Sequence, residues 1–197
     1  MKTAIVLTAC AATLALAACS KAPETAPATT ATMATPGGDA AADTTAAAAP
    51  TALVALAPTK DSKVSGTLTL SQEPGGVGIT GTVGNLEPGS KHGFHVHEKG
   101  DCSAPDAASA GGHFNPSMGE HGNPGAAGGH HLGDIPNLEA DSAGTAQVKM
   151  TVAGATLRDG GPNDLIGKGV IVHAMPDDYM TQPSGNSGGR VACGGIG

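Results

Sequence analysis

The chain has no tryptophan, one tyrosine and two phenylalanines. Any apolar interior must therefore be built from Val, Ile, Leu and Ala rather than aromatic rings. Basic residues are also scarce: 10 Lys and Arg stand against 17 Asp and Glu, a net charge of −7 with neutral histidine. That balance excludes a nucleic-acid-binding surface, which needs clustered cations to meet phosphates. Beyond the first 20 residues no apolar run approaches the ~20 residues of a membrane-spanning helix. There is no internal repeat and no Gly-rich phosphate loop. What is abundant is glycine, 31 residues. Glycine disfavours helix interiors and suits turns, so the composition points to an all-β fold.

Histidine is distributed unevenly. Seven of the eight histidines fall between Lys91 and Asp134: His92, His95, His97, His113, His121, His130 and His131. The eighth is His173. They come as an H-x-H pair, then singles at loop spacing, then His131 followed three residues on by Asp134. Neutral imidazole and carboxylate are favoured ligands of zinc and copper, so the pattern predicts a metal site with more ligands than one ion needs.

Alternation of apolar and polar residues predicts strands at Val64–Leu70, Val77–Val83, Gly93–His97 and Ala146–Val152, with a buried type at Gly169–His173 and a short last one at Arg190–Cys193. On Gly93–His97, Phe94 and Val96 point inward and His95 and His97 outward, about 6.5–7 Å apart on one face. From Glu98 to Gly144 no period is visible, which predicts a long loop held by ligands and a disulfide. A second long polar loop runs from Asp177 to Gly189.

The N-terminus reads as a targeting segment. Lys2 precedes a short apolar stretch, Ala4–Ala15, and then Leu16-Ala17-Ala18-Cys19, which resembles a bacterial lipoprotein signal with Cys19 lipidated. An ordinary secretory peptide is the alternative. Residues 1–18 are expected to be the signal peptide, 19–59 a disordered Ala/Thr/Pro-rich tether, and 60–197 one domain. A coil of ~40 residues reaches about 35 Å, enough to hold a domain off a membrane. The expected location is the periplasm, anchored to a membrane through the lipid, with Ser20 favouring the outer one. Of four cysteines, cleavage removes Cys10 and lipidation uses Cys19, which leaves Cys102 and Cys193 to form one disulfide in an oxidising compartment.

The segments HGFHVHEKGDC (92–102), GGHFNP (111–116), HLGD (131–134), VHAMPDD (172–178) and SGNSGGRVACGGIG (184–197) together resemble the copper,zinc superoxide dismutases in their bacterial exported form. The resemblance implies a Greek-key barrel of about eight antiparallel strands with two long functional loops. It implies copper on His95, His97, His113 and His173, and zinc on His113, His121, His131 and Asp134, with His113 bridging as an imidazolate. It also implies an outer carboxylate, Asp177, that links His95 to His121. Arg190 would guide superoxide, the anionic substrate, with Ser184 narrowing the entrance and Lys99 steering at longer range. The family's reaction is disproportionation of superoxide to oxygen and hydrogen peroxide by a redox-cycling copper, which here would protect the cell envelope. His92 is expected to be structural. His130 adjoins His131 and competes with it as a zinc ligand, although the HLGD register selects His131. A homodimer is one of the oligomeric states left open. Two rival readings are a metal-buffering lipoprotein and an interaction protein that keeps the fold without the chemistry.

Overall fold

Strand formation follows the alternation in the sequence. In the computed structural model, which describes residues 48–197, eight strands form: β1 Thr51–Pro58, β2 Ser65–Glu73, β3 Gly76–Gly84, β4 Lys91–His97, β5 Asp134–Glu139, β6 Ala146–Ala153, β7 Gly169–His173 and β8 Arg190–Gly195. A 3-10 turn at Ala108–Ala110 is the one helical piece among the described residues. The hydrogen-bonded order is β5-β4-β7-β8-β1-β2-β3-β6, antiparallel throughout. The end strands β5 and β6 lie against each other, so the sheet curls into a nearly closed barrel. The chain leaves after β3, builds β4 and β5 elsewhere, and returns as β6 beside β3, as a Greek key does.

Two strands were not expected. Thr51–Pro58, which the composition assigned to the tether, is β1, paired with both β2 and β8. Ala52, Val54 and Leu56 are buried, while the outward positions Leu53 and Ala55 are also apolar. With no polar contrast between the faces the period was hidden. Asp134–Glu139 lies in the stretch read as a loop up to Gly144. It is short and carries Pro136, which cannot donate to a ladder. β5 is an end strand of the ladder, where that is tolerated. The signal, Cys19 and the tether as far as residue 47 lie outside the described residues.

The core fills the barrel with Leu68, Leu70, Ile79, Phe94, Ile135, Leu138 and Leu165, all essentially inaccessible. A fully buried aliphatic side chain contributes roughly 1.5–3 kcal/mol. A smaller cluster of Ala107, Ala110, Ile171 and Cys193, joined by Cys102, lies outside it. There the Cys102–Cys193 disulfide closes, with an S–S distance of 1.97 Å, and ties the long loop to β8.

Candidate metal centre

β4 and β7 are neighbours, with Phe94 opposite Val172 and His97 opposite Gly169. Phe94 and Val96 enter the core, so His95 and His97 project from the other face, as the parity requires. They are not solvent-exposed, however: His95 is 0% and His97 1% accessible. The two long loops fold over this face. The first is held against β4 by Val96 N–H to Gly133 O (2.8 Å), Phe114 N–H to Val96 O (2.8 Å) and Glu98 N–H to Gly112 O (3.0 Å). Gly133 lies so close that a Cβ there would strike the Val96 carbonyl, so glycine is required.

The folding brings two groups of four together. His95, His97, His113 and His173 each offer one atom within 4.8 Å of the others, and so do His113, His121, His131 and Asp134. All are buried, and His113 belongs to both groups. His131 joins the second group and His130 does not. His92 stands apart: its Nδ1 donates to His173 O (2.7 Å) and its Nε2 meets Ser90 Oγ (2.7 Å), a structural role.

In most of these rings one nitrogen is committed and the other is free. His95 Nε2 and His121 Nε2 donate to the two oxygens of Asp177, at 2.8 and 3.0 Å. His97 Nδ1 donates to Gly111 O (3.0 Å) and His173 Nδ1 to Gly188 O (3.2 Å). Left buried without a hydrogen-bond partner are His95 Nδ1, His113 Nε2, His121 Nδ1 and His131 Nδ1, and also His130 Nδ1, which belongs to neither group. Orphaned buried nitrogens are costly unless something accepts their lone pairs. Fixing the far nitrogen of each ring is how proteins orient ligating imidazoles. The donor set therefore fits two metal ions.

Protonation agrees. Burial pushes His97 down to about 2 and His173 to about 4, and it holds His95 well below the usual histidine range; nearby rings add to each shift. Burial also lowers His131. These rings stay neutral, the form that binds metal. Burial alone would raise the Asp134 carboxyl, but hydrogen bonds from His113, Gly122 and His131 outweigh it and keep it below the usual carboxylate range.

Above the first group opens a mouth of about 540 Å³, lined by His97, His113, His173, Ser184 and Arg190 among others. Arg190 pairs with His173 across β7 and β8. Its guanidinium donates to Ala107 O and Gly111 O, both at 2.6 Å, so it shares the Gly111 carbonyl with His97. Lys99 lines other hollows and is not on this mouth. Glu98, Asn115 and Met118 on the mouth were not foreseen. Nor was Asn137, whose amide binds both the N–H (2.8 Å) and the C=O (2.9 Å) of Asp177. No local pattern marks such a residue, because its partner is 40 positions away.

A family model described as copper/zinc superoxide dismutase matches residues 64–196. A superoxide dismutase-like protein of Bacillus subtilis (strain 168) is 44% identical over 126 residues, 61% of this chain and 63% of that protein, so the chain spans less than two thirds of that relative's length. The Cu-Zn superoxide dismutase 2 of Aquifex aeolicus (strain VF5) is 39% identical over 141 residues, 69% of this chain and 81% of that protein. Among solved structures, a double mutant of the Bacillus subtilis SOD-like protein superposes with a TM-score of 0.67 at 41% identity, covering 73% of this chain and 95% of that one. The clock protein EA4 gives 0.67 at 35% identity, covering 76% and 94%. With a barrel and two histidine groups of this kind, and with the match running nearly from β2 to the C-terminus, the chain belongs to the copper/zinc superoxide dismutase family.

Proposed function

We propose that this protein disproportionates superoxide to oxygen and hydrogen peroxide at the mouth in front of His97, His113 and His173. The observation that carries the reading is the pair of four-residue groups sharing His113, with their free nitrogens buried and Arg190 on the same mouth. His95, His97, His113 and His173 would hold copper, and His113, His121, His131 and Asp134 would hold zinc. Copper would supply a one-electron change in each direction, and zinc, in a closed set of protein ligands, would be structural.

The chain's own groups perform the rest. Arg190 presents a fixed positive fork at the entrance of a protein whose net charge is −7, so it draws a small anion against the mean field. Ser184 and Arg190 narrow the approach. Asp177 holds the rings of His95 and His121 through their far nitrogens and so links the two groups mechanically. His113 belongs to both groups, with its Nδ1 against Asp134 Oδ1 and its Nε2 buried without a partner, so it would be the residue the two ions share and would be placed to take and return a proton.

We place the domain at the cell envelope, secreted by its N-terminal segment and anchored through Cys19, where it would intercept superoxide outside the cytoplasm. The disulfide supports an oxidising compartment.

The test is superoxide removal by purified domain loaded with copper and zinc, with copper-free protein and His97→Ala as controls. Rapid removal that needs copper and is lost in the variant is expected. Metal uptake without copper-dependent removal would overturn the enzymatic reading and favour a buffering role.

A further inference from the structure

Gln182 lies in the second loop, immediately before Pro183 and Ser184 on the rim of the mouth. Its amide meets the backbone of His121, 61 residues away: Oε1 accepts the His121 N–H at 2.9 Å and Nε2 donates to the His121 C=O at 2.9 Å. Only one orientation of the amide satisfies both bonds. Among the described residues no other hydrogen bond reaches the backbone of His121. The neighbouring Gly185 has φ +66°, and a Cβ there would collide with the Asp177 carboxylate. The turn after Gln182 is thus drawn tightly around this one ligand.

We infer that Gln182 is a positioning residue that sets how long an ion stays on the His113, His121, His131 and Asp134 group and couples that group to the rim of the mouth. His121 sits in a Gly- and Pro-rich loop with no regular structure. Its ring is fixed by Asp177 and its peptide by Gln182, so ring and backbone are both located before an ion arrives. Outer contacts of this kind typically change metal affinity by about 10–100-fold. The same residue holds Pro183 and Ser184 in place, so ordering of His121 is passed to the entrance. This rests on the metal-binding reading above.

The experiment compares the full-length protein with Gln182→Ala and with Gln182→Met, which keeps the length of the side chain but has no amide. Zinc release to a chelator and the visible spectrum of cobalt(II) in the zinc group are measured, with the copper(II) electron paramagnetic resonance signal as the internal control. About tenfold faster zinc release and a changed cobalt spectrum are expected in both variants, with the copper signal of the wild type retained. Release at the wild-type rate in both would overturn the proposal. So would an effect in Gln182→Ala that Gln182→Met restores, because that is packing alone. A wild type that takes up neither zinc nor cobalt would overturn the metal reading itself, which separates the two failures.

Discussion

Three members of the first histidine group are built on strands, while three members of the second hang from a loop. His95 and His97 come from β4 and His173 from β7, adjacent strands whose register is fixed by a continuous ladder over a dry core. His113, His121 and His131 come from the segment between β4 and β5, with Asp134 opening β5. That segment is located by a few bonds to β4, by Asp177, by Gln182 and by the disulfide. Sheet geometry orders the strand half before any ion is present. The loop half is located by contacts between distant segments rather than by a ladder, so bound metal there adds to a local stability that is lower to begin with. On the proposed assignment the redox ion would sit in the rigid half and the structural ion in the half whose order depends more on its contacts.

The largest expected effect falls on the residue both halves share. His113→Ala removes a donor from each group and leaves the Asp134 carboxylate without its 2.7 Å partner. Zinc retention and superoxide removal should both drop by more than about tenfold. By contrast His131→Ala should weaken zinc and leave the strand group's copper spectrum nearly unchanged. Metal analysis and a copper(II) spectrum of both variants check this; a His113 variant with full zinc and normal activity would dissolve the distinction.

Removing the Cys102–Cys193 disulfide comes next. It spans 91 residues, and the chain-entropy model assigns such a loop on the order of 4–5 kcal/mol. Cys193 sits in β8 and Cys102 in the loop, so the loss should concentrate on the loop half. Hydrogen exchange after reduction should rise between residues 98 and 133 well before it rises in β4 and β7. Equal rises in both regions would show that the two halves unfold as one unit.

The same contrast governs what could be read in advance. Strand positions announce themselves through period two, so the H-x-H parity and six of the strands were visible in the residues, while the ligand roles of His95, His97 and His173 came with the family resemblance. β1 escaped because both of its faces are apolar, and β5 because Pro136 interrupts a very short period. For the loop half no period exists. His121 and His131 became assignable only through resemblance to a family, and residue chemistry alone could not separate His131 from His130. Gln182 and Asn137 were invisible because they act on the backbone of residues far away in sequence.

Arg190 should have a smaller effect, because it belongs to neither four-residue group. It opens β8 but donates to two loop carbonyls, so it spans the two halves. Arg190→Ile should slow superoxide removal by about tenfold through lost steering while both metals stay bound. Arg190→Lys should cost less, since charge survives although the fork does not. Added salt should slow the natural protein more than the Ile variant. Equal rates and equal salt slopes would sink the steering role.

The smallest effect concerns acid and the metal-free domain. In the strand group His97 is held at about 2 and His173 at about 4, against an ordinary value near 6.5, chiefly by burial. As pH falls below about 6.5 the unfolded chain takes up protons at these rings and the folded one does not. The unfolded state then binds more protons, so stability falls with pH, by at most about 1.4 kcal/mol per pH unit for each ring kept neutral. Asp134 works in the opposite sense to a raised carboxyl: its lowered value adds stability that is present above the ordinary carboxylate range and lost only on acidification below it, outside this window. Between pH 6.5 and 5 the slope therefore belongs mainly to His97 and His173, with a smaller share from His131, where burial lowers the ring but the Asp134 carboxylate opposes it. Melting temperatures of the metal-free domain should fall over that interval. His173→Asn should flatten the fall more than His131→Asn does. The reverse ranking would mean that the loop, not the sheet, sets the acid sensitivity of the centre.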